Sequence, residues 1–390
     1  MKIADRIEFS IKINGSPYPV QSIPGLQASI CCNVKQHIPT MMLVIPDFSA
    51  KLHSTNMIAD GTKIEILLTD SHGNKIYTPF RSFGVPKRSL MNESPGYMSY
   101  LITGMLDTST VVHACPNAAF TGTSSNVFAQ IASGTGLNYS QNISTNDSMT
   151  WMPAKKTWAA FADYVCAHAW KDEKSFLSWA VDESKNLLYV NVPDLYGQNV
   201  DIKAYFYFGA PVSVNNPQIT KNNTYYVWDY KANNNSGLFN HLGAYGVRTS
   251  QTQLNGTVNK YLDSSATVYD NQLDIGLDIY NQVQKVSRMR LPPIDTGNAH
   301  PNYIQALHQN HRLSCTYSQT VHLMVNQQTG LTLYDKVLFT ANGISNDTNK
   351  LVNGTYLVSA ISRSCYSGFY WEKIELTTNG PLSSNAGLVS

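Results

Sequence analysis

The chain has 390 residues, 43% of them hydrophobic, and a formal net charge of +2 with only 14% charged residues. Length allows two or three domains with sizeable cores, and the near-neutral balance, without a run of like charge, argues against a nucleic-acid binder. The charged share falls well below the usual value of about 25%, and a surface rich in amides, hydroxyls and phenols suits permanent contacts, where Tyr is favoured and buried charge is costly.

Charges at Lys2, Asp5 and Arg6 interrupt the start, so no signal peptide is expected there. No apolar run approaches the roughly 20 residues that span a bilayer, so no membrane insertion is expected. The six cysteines, Cys31, Cys32, Cys115, Cys166, Cys315 and Cys365, include no C-x-x-C pair. In a chain of this length they read as free, mostly buried thiols from a reducing compartment.

Residues 7–112 read as strands. Ile7 to Ile13 alternates apolar and polar and meets the tight-turn dipeptide Asn14-Gly15. Met41 to Ile45 is a short apolar run closed by Pro46. Lys63 to Leu68, a polar turn over Asp70 to Asn74, and Lys75 to Thr78 read as strand, turn, strand; Tyr97 to Thr103 is a further strand. Closely spaced strands with turn signals argue for a barrel or a sandwich.

Residues 113–200 change character to a small α+β unit. A short helix is expected from Ser124 to Ala132, with Ser124 as N-cap and Gly134 as stop. A stronger one is expected from Lys155 to Trp170, where Trp158, Phe161, Val165 and Ala169 share a face. A hairpin follows: Ser175 to Val181, a polar loop over Asp182 to Asn186, then Leu187 to Val192. Strand character returns over 201–245, as in Tyr205 to Phe208 and Tyr225 to Tyr230, and again over 306–379. Between them, 246–305 reads as an insertion of mixed structure, with a weak helical patch from Tyr303 to His308. Residues 380–390 read as a flexible tail.

The two β regions echo each other. Lys63 to Leu68 matches Lys336 to Thr340, and Phe80 to Ser89 aligns with Tyr356 to Ser364, both ending in Arg-Ser. Gly96-Tyr97 then answers Gly368-Phe369, each before an alternating strand. The offset stays between 272 and 276, from Tyr97 against Phe369 to Phe80 against Tyr356. A duplication would make the chain barrel, insert, barrel, so three copies could match a six-fold ring.

Catalytic and binding signatures are sparse. His308 and His311 have i, i+3 spacing without a third ligand nearby, and His113 with Cys115 is weaker. Asp163, Asp172, Glu173, Asp182 and Glu183 are the densest carboxylates. The last four are expected in solvated positions past the helix or in the hairpin loop, and Asp163 off the apolar helix face. No Walker loop, G-x-S-x-G or G-x-G-x-x-G occurs in strand–helix context. No catalytic, cofactor-binding or metal residue is therefore assigned. The aromatics at Tyr205 to Phe208, Tyr225 to Tyr230 and Phe369 to Trp371 could form a stacking platform, but alternating strands bury half of such side chains anyway.

Together the middle and C-terminal segments resemble a phage tail baseplate hub protein, of the kind related to late-control D proteins and type VI secretion spikes. The resemblance rests on the helix opened by Thr157-Trp158, the hairpin with Phe176, Trp179, Leu188 and Val190, and the Gly354 to Ile361 strand leading to Thr377. Phe176 to Trp179 is one residue longer than the family pattern. The fused needle or lysozyme module of larger spikes is not legible here. The resemblance implies two similar antiparallel tube-type β-barrels, over 1–112 and over 201–245 with 306–379, flanking an α+β domain over 113–200. It implies a non-enzymatic homotrimer without cofactor, forming a pseudo-six-fold ring between a hexameric tail tube protein and a trimeric central spike protein. Other baseplate proteins would bind around it, DNA would pass through its lumen without specific binding, and the ring would be assembled in the host cytoplasm into the virion tail. A carbohydrate-binding tail protein or adhesin is the alternative, and after it a cell-wall hydrolase using the carboxylates at 172, 173, 182 and 183.

Overall fold

The computed structural model describes residues 8–18, 25–47, 58–69, 75–84, 87–90, 98–172, 175–197, 199–209, 223–234, 248–252, 259–263, 294–295, 319–341, 352–366 and 369–378. The expected helical patch at Tyr303 to His308, the tail, Cys315 and Glu173 lie outside them. The described chain is mainly β, with its helices gathered in the middle.

The first β region holds β1 (Glu8–Ile13), β2 (Ser16–Tyr18), β3 (Gln27–Asn33), β4 (Thr40–Asp47), β5 (Lys63–Thr69), β6 (Lys75–Ser82), β7 (Lys87–Leu90) and β8 (Met98–Leu106). Asn14 and Gly15 both take positive φ, 48° and 80°, and join β1 to β2 as a two-residue hairpin with Ile13 opposite Ser16. Strict alternation on β1, β3 and β5 buries every second residue. Pro46 does not end β4 as expected. It pairs with Ser99 of β8 and lies beyond Val44, the last β4 residue paired with β3, so the missing N–H interrupts no ladder on that edge.

The middle region holds α1 (Ser109–His113), β9 (Phe120–Gly122), α2 (Ser124–Thr135), β10 (Asn138–Gln141), β11 (Met149–Trp151), α3 (Trp158–His168), β12 (Leu177–Val181), β13 (Asn186–Asn191) and α4 (Val192–Leu195). Thr123, not Ser124, caps α2, its hydroxyl accepting from the Asn126 N–H. Ser124 is occupied otherwise: its hydroxyl donates to Thr145 Oγ1 and accepts from the Tyr189 hydroxyl. Helix α2 runs past Gly134 and stops at Gly136, which has φ 72°. Helix α3 starts later than expected because Ala154 and Lys155 take positive φ, and Thr157 supplies the cap to the Ala160 N–H. Phe161, Ala162 and Val165 are its buried residues.

The last region holds β14 (Ala204–Phe208), β15 (Thr224–Tyr226), β16 (Asp229–Asn234), β17 (Arg248–Thr252), β18 (Asn259–Asp263), β19 (Ile294–Asp295), β20 (Gln319–Val325), β21 (Lys336–Ala341), β22 (Gly354–Tyr366) and β23 (Phe369–Thr378). Of the expected insertion, β17, β18 and β19 are described, and they form a small sheet of their own.

Two separate antiparallel barrels were expected, and the described strands form no closed barrel. They make one continuous mixed sheet of 15 strands. The sheet is mixed because β14 runs parallel to both β15 and β21. It is continuous because β22 is long: residues 354–357 pair with β21, and residues 360–366 pair antiparallel with β3. A strand that outruns its neighbour leaves backbone groups to be paired, and β3 supplies them.

A common order nevertheless underlies both regions. The path β5–β6–β8–β4–β3, with β7 also on β8, is answered by β21–β22–β23–β20–β16. Registers agree as well. Lys63 faces Arg81 and Lys336 faces Leu357. Arg81 faces Met105 and Leu357 faces Thr377; Arg88 faces Tyr100 and Arg363 faces Glu372. The β8-to-β23 offset is thus 272 at both ends. The outermost strand departs: β1 is antiparallel to β5, but β14 is parallel to β21.

Three hydrophobic cores result, one centred on β1–β8, one on α1–α3 with β12 and β13, and one on β14, β16 and β20–β23. The first also takes in Phe176, Val192, Tyr334 and Tyr370, so the other two regions contribute to it.

Gly134 shows why the Thr157-Trp158 helix opening sits where it does. A Cβ there would lie 2.8 Å from Cη2 and Cζ2 of Trp158, whose ring is also tilted against Phe120 at 5.8 Å. Gly134→Ala should therefore lower stability by about 1–2 kcal/mol, despite the roughly 1 kcal/mol helix propensity gain. In a Trp158→Ala background the same change should stabilise. Thermal or urea unfolding of the four variants checks both signs.

Candidate functional site

The chemically densest place is a buried charge cluster where the three regions meet. It begins with an in-phase pair on one hairpin. On β22, Ile361, Arg363 and Cys365 face inward; on β23, Tyr370, Glu372, Ile374 and Leu376 do. Arg363 and Glu372 lie directly opposite, and burial leaves them 2% and 0% exposed. Two unpaired charges so placed would be costly.

They are paired. Arg363 Nε donates to Glu372 Oε1 at 3.2 Å and Nη2 donates to the Leu331 carbonyl at 2.7 Å. Glu372 also accepts from the Tyr370 hydroxyl at 2.6 Å and from the Thr329 hydroxyl and N–H at 2.6 and 3.2 Å. Arg363 Nη1 lies 2.7 Å from Glu183 Oε1 on the β12–β13 turn. That approach is off the donor line, so it counts as an ion pair rather than a hydrogen bond. Cys32 of β3 completes the set, its thiol donating to Glu183 Oε2 at 3.1 Å. Burial opposes the charge on Arg363, but Glu183 and Glu372 overcome it and hold the guanidinium above its ordinary range. Burial, then Glu183, pushes the Cys32 thiol well up; burial, then Glu372, does the same to the Tyr370 phenol. A thiol so raised is a poor nucleophile.

A second contact locks the β3–β4 loop to the middle region. His37, at φ 61°, stacks on Trp179 with ring centroids 4.3 Å apart and planes 7° apart. Its Nδ1 lies 2.7 Å from the Trp179 carbonyl, which can only accept, so Nδ1 carries the proton. Trp179 Nε1 donates to Asp163 at 2.9 Å, and His37 Nε2 is 3.4 Å from the same oxygen.

The expected carboxylates therefore divide. Asp182 and Glu183 are not solvated, as expected from their loop, but 3% and 5% exposed. Asp182 accepts from the N–H groups of Ser184 and Asn186 and from the Asn186 side chain, and so shapes the tight turn. Its carboxyl is pushed up by burial, against those donors. Glu183 turns the other way, into the cluster. Asp163 is largely exposed and holds Trp179, and Asp172 is exposed. The structure does not gather them into one cleft. Among the described residues no group of three or more His, Cys, Asp and Glu could hold a metal ion, and no helix is long and apolar enough to cross a membrane. His308 and His311 lie outside those residues. None of the five described cysteines is in a disulfide; Cys32 and Cys365 are buried and Cys115 is exposed.

The aromatic stretches divide between buried and exposed positions without strict alternation. Phe206, Tyr207 and Tyr370 are buried, while Tyr226, Trp228, Tyr366 and Phe369 are exposed. The cluster itself was missed in the sequence, although a charge in phase with core residues on both strands of one hairpin is a readable signal.

The arrangement is a joint. Arg363→Met removes the one cation facing two buried carboxylates and should cost about 3–5 kcal/mol. Glu183→Gln keeps the shape and hydrogen-bonding capacity and should cost less. Unfolding midpoints of the two variants test the order.

No protein-family model matches the sequence, and no curated protein matches it either. Solved structures do. A 43 kDa tail protein of prophage MuSo2 from Shewanella oneidensis is similar over 96% of this chain and 98% of its own, with TM-score 0.60 and 10% identity. A tail protein from Neisseria meningitidis MC58 is similar over 97% and 99%, with TM-score 0.57 and 8% identity. A chain of the lidded PdpA-VgrG complex of Francisella is similar at TM-score 0.50 and 10% identity, over 97% of this chain but 53% of that one. The resemblance to tail proteins read from the sequence is thus met in the fold, and over nearly its whole length this chain has the fold of phage tail proteins.

Proposed function

We propose that the chain is a structural, non-enzymatic protein of a phage tail and forms the hub of a contractile-tail baseplate. Three copies make a ring of pseudo-six-fold symmetry. The ring joins a hexameric tail tube to a trimeric central spike, and its lumen passes DNA without specific contacts. The observation that carries this reading is the recurrence of one strand order in matching register at both ends of the chain. Two like units per chain, one from each β region, let a three-fold assembly present six similar faces. Similarity of fold to tail proteins along nearly the whole of their length supports the same reading.

A second reading, an adhesin for carbohydrate, draws on the exposed aromatics. Trp228 is 53% exposed and meets Trp371 edge-on at 5.7 Å, and Phe369 is 65% exposed. Such rings equally suit the face of a protein partner.

Native mass and class averages of the purified chain distinguish the two. The hub reading expects three copies around an axis and no glycan binding. A chain that stays monomeric or dimeric at assembly concentrations, or glycan binding that Trp228→Ala abolishes, would replace it.

A further inference from the structure

We propose that β7 of one copy pairs antiparallel with β16 of the next, with Arg88 opposite Ala232 and Ser89 opposite Lys231. The inference deepens the ring reading and rests on it, because it needs further copies of the chain.

It starts from an imbalance in strand pairing. Within the chain, β3 of the first region lies against residues 360–366 of β22 in the second. Their counterparts are β16 and β7. Among the described residues β16 is paired only with β20 and β7 only with β8, so each keeps one open edge. These are the two edges that, in the other copy of the unit, are joined to each other. The first region offers to a neighbour what β22 offers to β3, and the second offers what β3 offers to β22.

The pairing cannot close within one chain by the same geometry, since β3–β22 already uses the single joint between the two regions. A second copy of this chain supplies the missing strand on each side. The contact is head to tail, with different surfaces on the two partners, so it generates a ring when the rotation closes. Open edges of this kind are otherwise a route to uncontrolled pairing.

The register follows from the observed ladders. Arg88 and Ser89 correspond to Arg363 and Ser364 through their partners Tyr100 and Ser99 on β8, and Glu372 and Trp371 on β23. Leu101 and Lys373 correspond in the same way. Val44 of β4 faces Leu101, and Met324 of β20 faces Lys373, so Val44 and Met324 correspond. Gln27 faces Val44 and Asp229 faces Met324, which makes Ile30 the counterpart of Ala232 and Ser29 that of Lys231. Since Arg363 faces Ile30 and Ser364 faces Ser29, Arg88 should face Ala232 and Ser89 should face Lys231.

Paired cysteines test this in the full chain. Facing residues on antiparallel strands have Cβ atoms about 4.5–5.5 Å apart, within disulfide reach, whereas diagonal neighbours lie about 7–8 Å apart. The double variant Ser89→Cys with Lys231→Cys, or the adjacent Arg88→Cys with Ala232→Cys, should convert under mild oxidation to covalent trimers on a denaturing gel. The shifted pair Ser89→Cys with Asn233→Cys should link several-fold less. Hydrogen exchange of the unaltered chain gives a second measure: amides of 87–90 and 229–234 should become protected on assembly. Trimers without links or protection at this register overturn the pairing and leave the ring reading standing. Links within one chain, or equal linking by the shifted pair, also overturn it. A chain that stays monomeric overturns both.

Discussion

The three regions of the described chain meet at one buried guanidinium. Arg363 stands on β22 but faces Glu372 of β23, Glu183 of the middle region and, through Glu183, Cys32 of β3. Removing that group would leave two carboxylates in an apolar joint, so the three regions are held in one relation by the cost of separating them. Hydrophobic contact alone is non-directional and would tolerate sliding. The cluster fixes which side chains meet, and the His37–Trp179 stack repeats the constraint in the loop after β3.

The place of this joint matters as much as its chemistry. It sits where β22 passes from β21 to β3, at the seam between the two β regions. The first region has no equivalent charge pair in register, because the residue facing Arg88 is Tyr100 where Arg363 has Glu372. Two units with one strand order have thus diverged where one is locked within the chain and the other is not. The middle region bears on this: its β12–β13 turn sends Glu183 into the seam, against Arg363 and Cys32.

Much of this was legible in the sequence, for identifiable reasons. Alternation placed β1, β5 and β23, the Asn14-Gly15 hairpin was read from turn chemistry, and the Thr157-Trp158 helix from its apolar face. The echo between Lys63 to Ser89 and Lys336 to Ser364 was legible because strand register preserves spacing even where identities drift. What failed was of two kinds. The α2 N-cap was misplaced by one position and its stop by two; Ser124 is the better intrinsic cap, but Thr145 and Tyr189 claim it and leave Thr123 to cap. The acids at 182 and 183 were read as solvated because a polar loop normally is; nothing local says that Arg363, far along the chain, will lie beneath them. The direction of β14 and the continuity of the sheet are likewise long-range outcomes.

The low charge content acquires a physical role in this light. With few charges available, repulsion between copies in the proposed ring would be weak, and open strand edges would decide which contacts form. In the proposed ring, joints within a chain alternate with joints between chains. The six units close only when one joint of each kind together turn the path through a third of a full circle, and otherwise a head-to-tail contact grows into a filament. The joint within the chain is the stiff one, set by the Arg363 cluster. The joint between chains is built from backbone ladders, which tolerate some twist. A rigid joint of defined angle, alternating with a compliant one, lets ring closure itself select the final geometry. On this argument the buried cluster matters beyond the stability of one chain: it sets the angle that the other joint must complement for the ring to close.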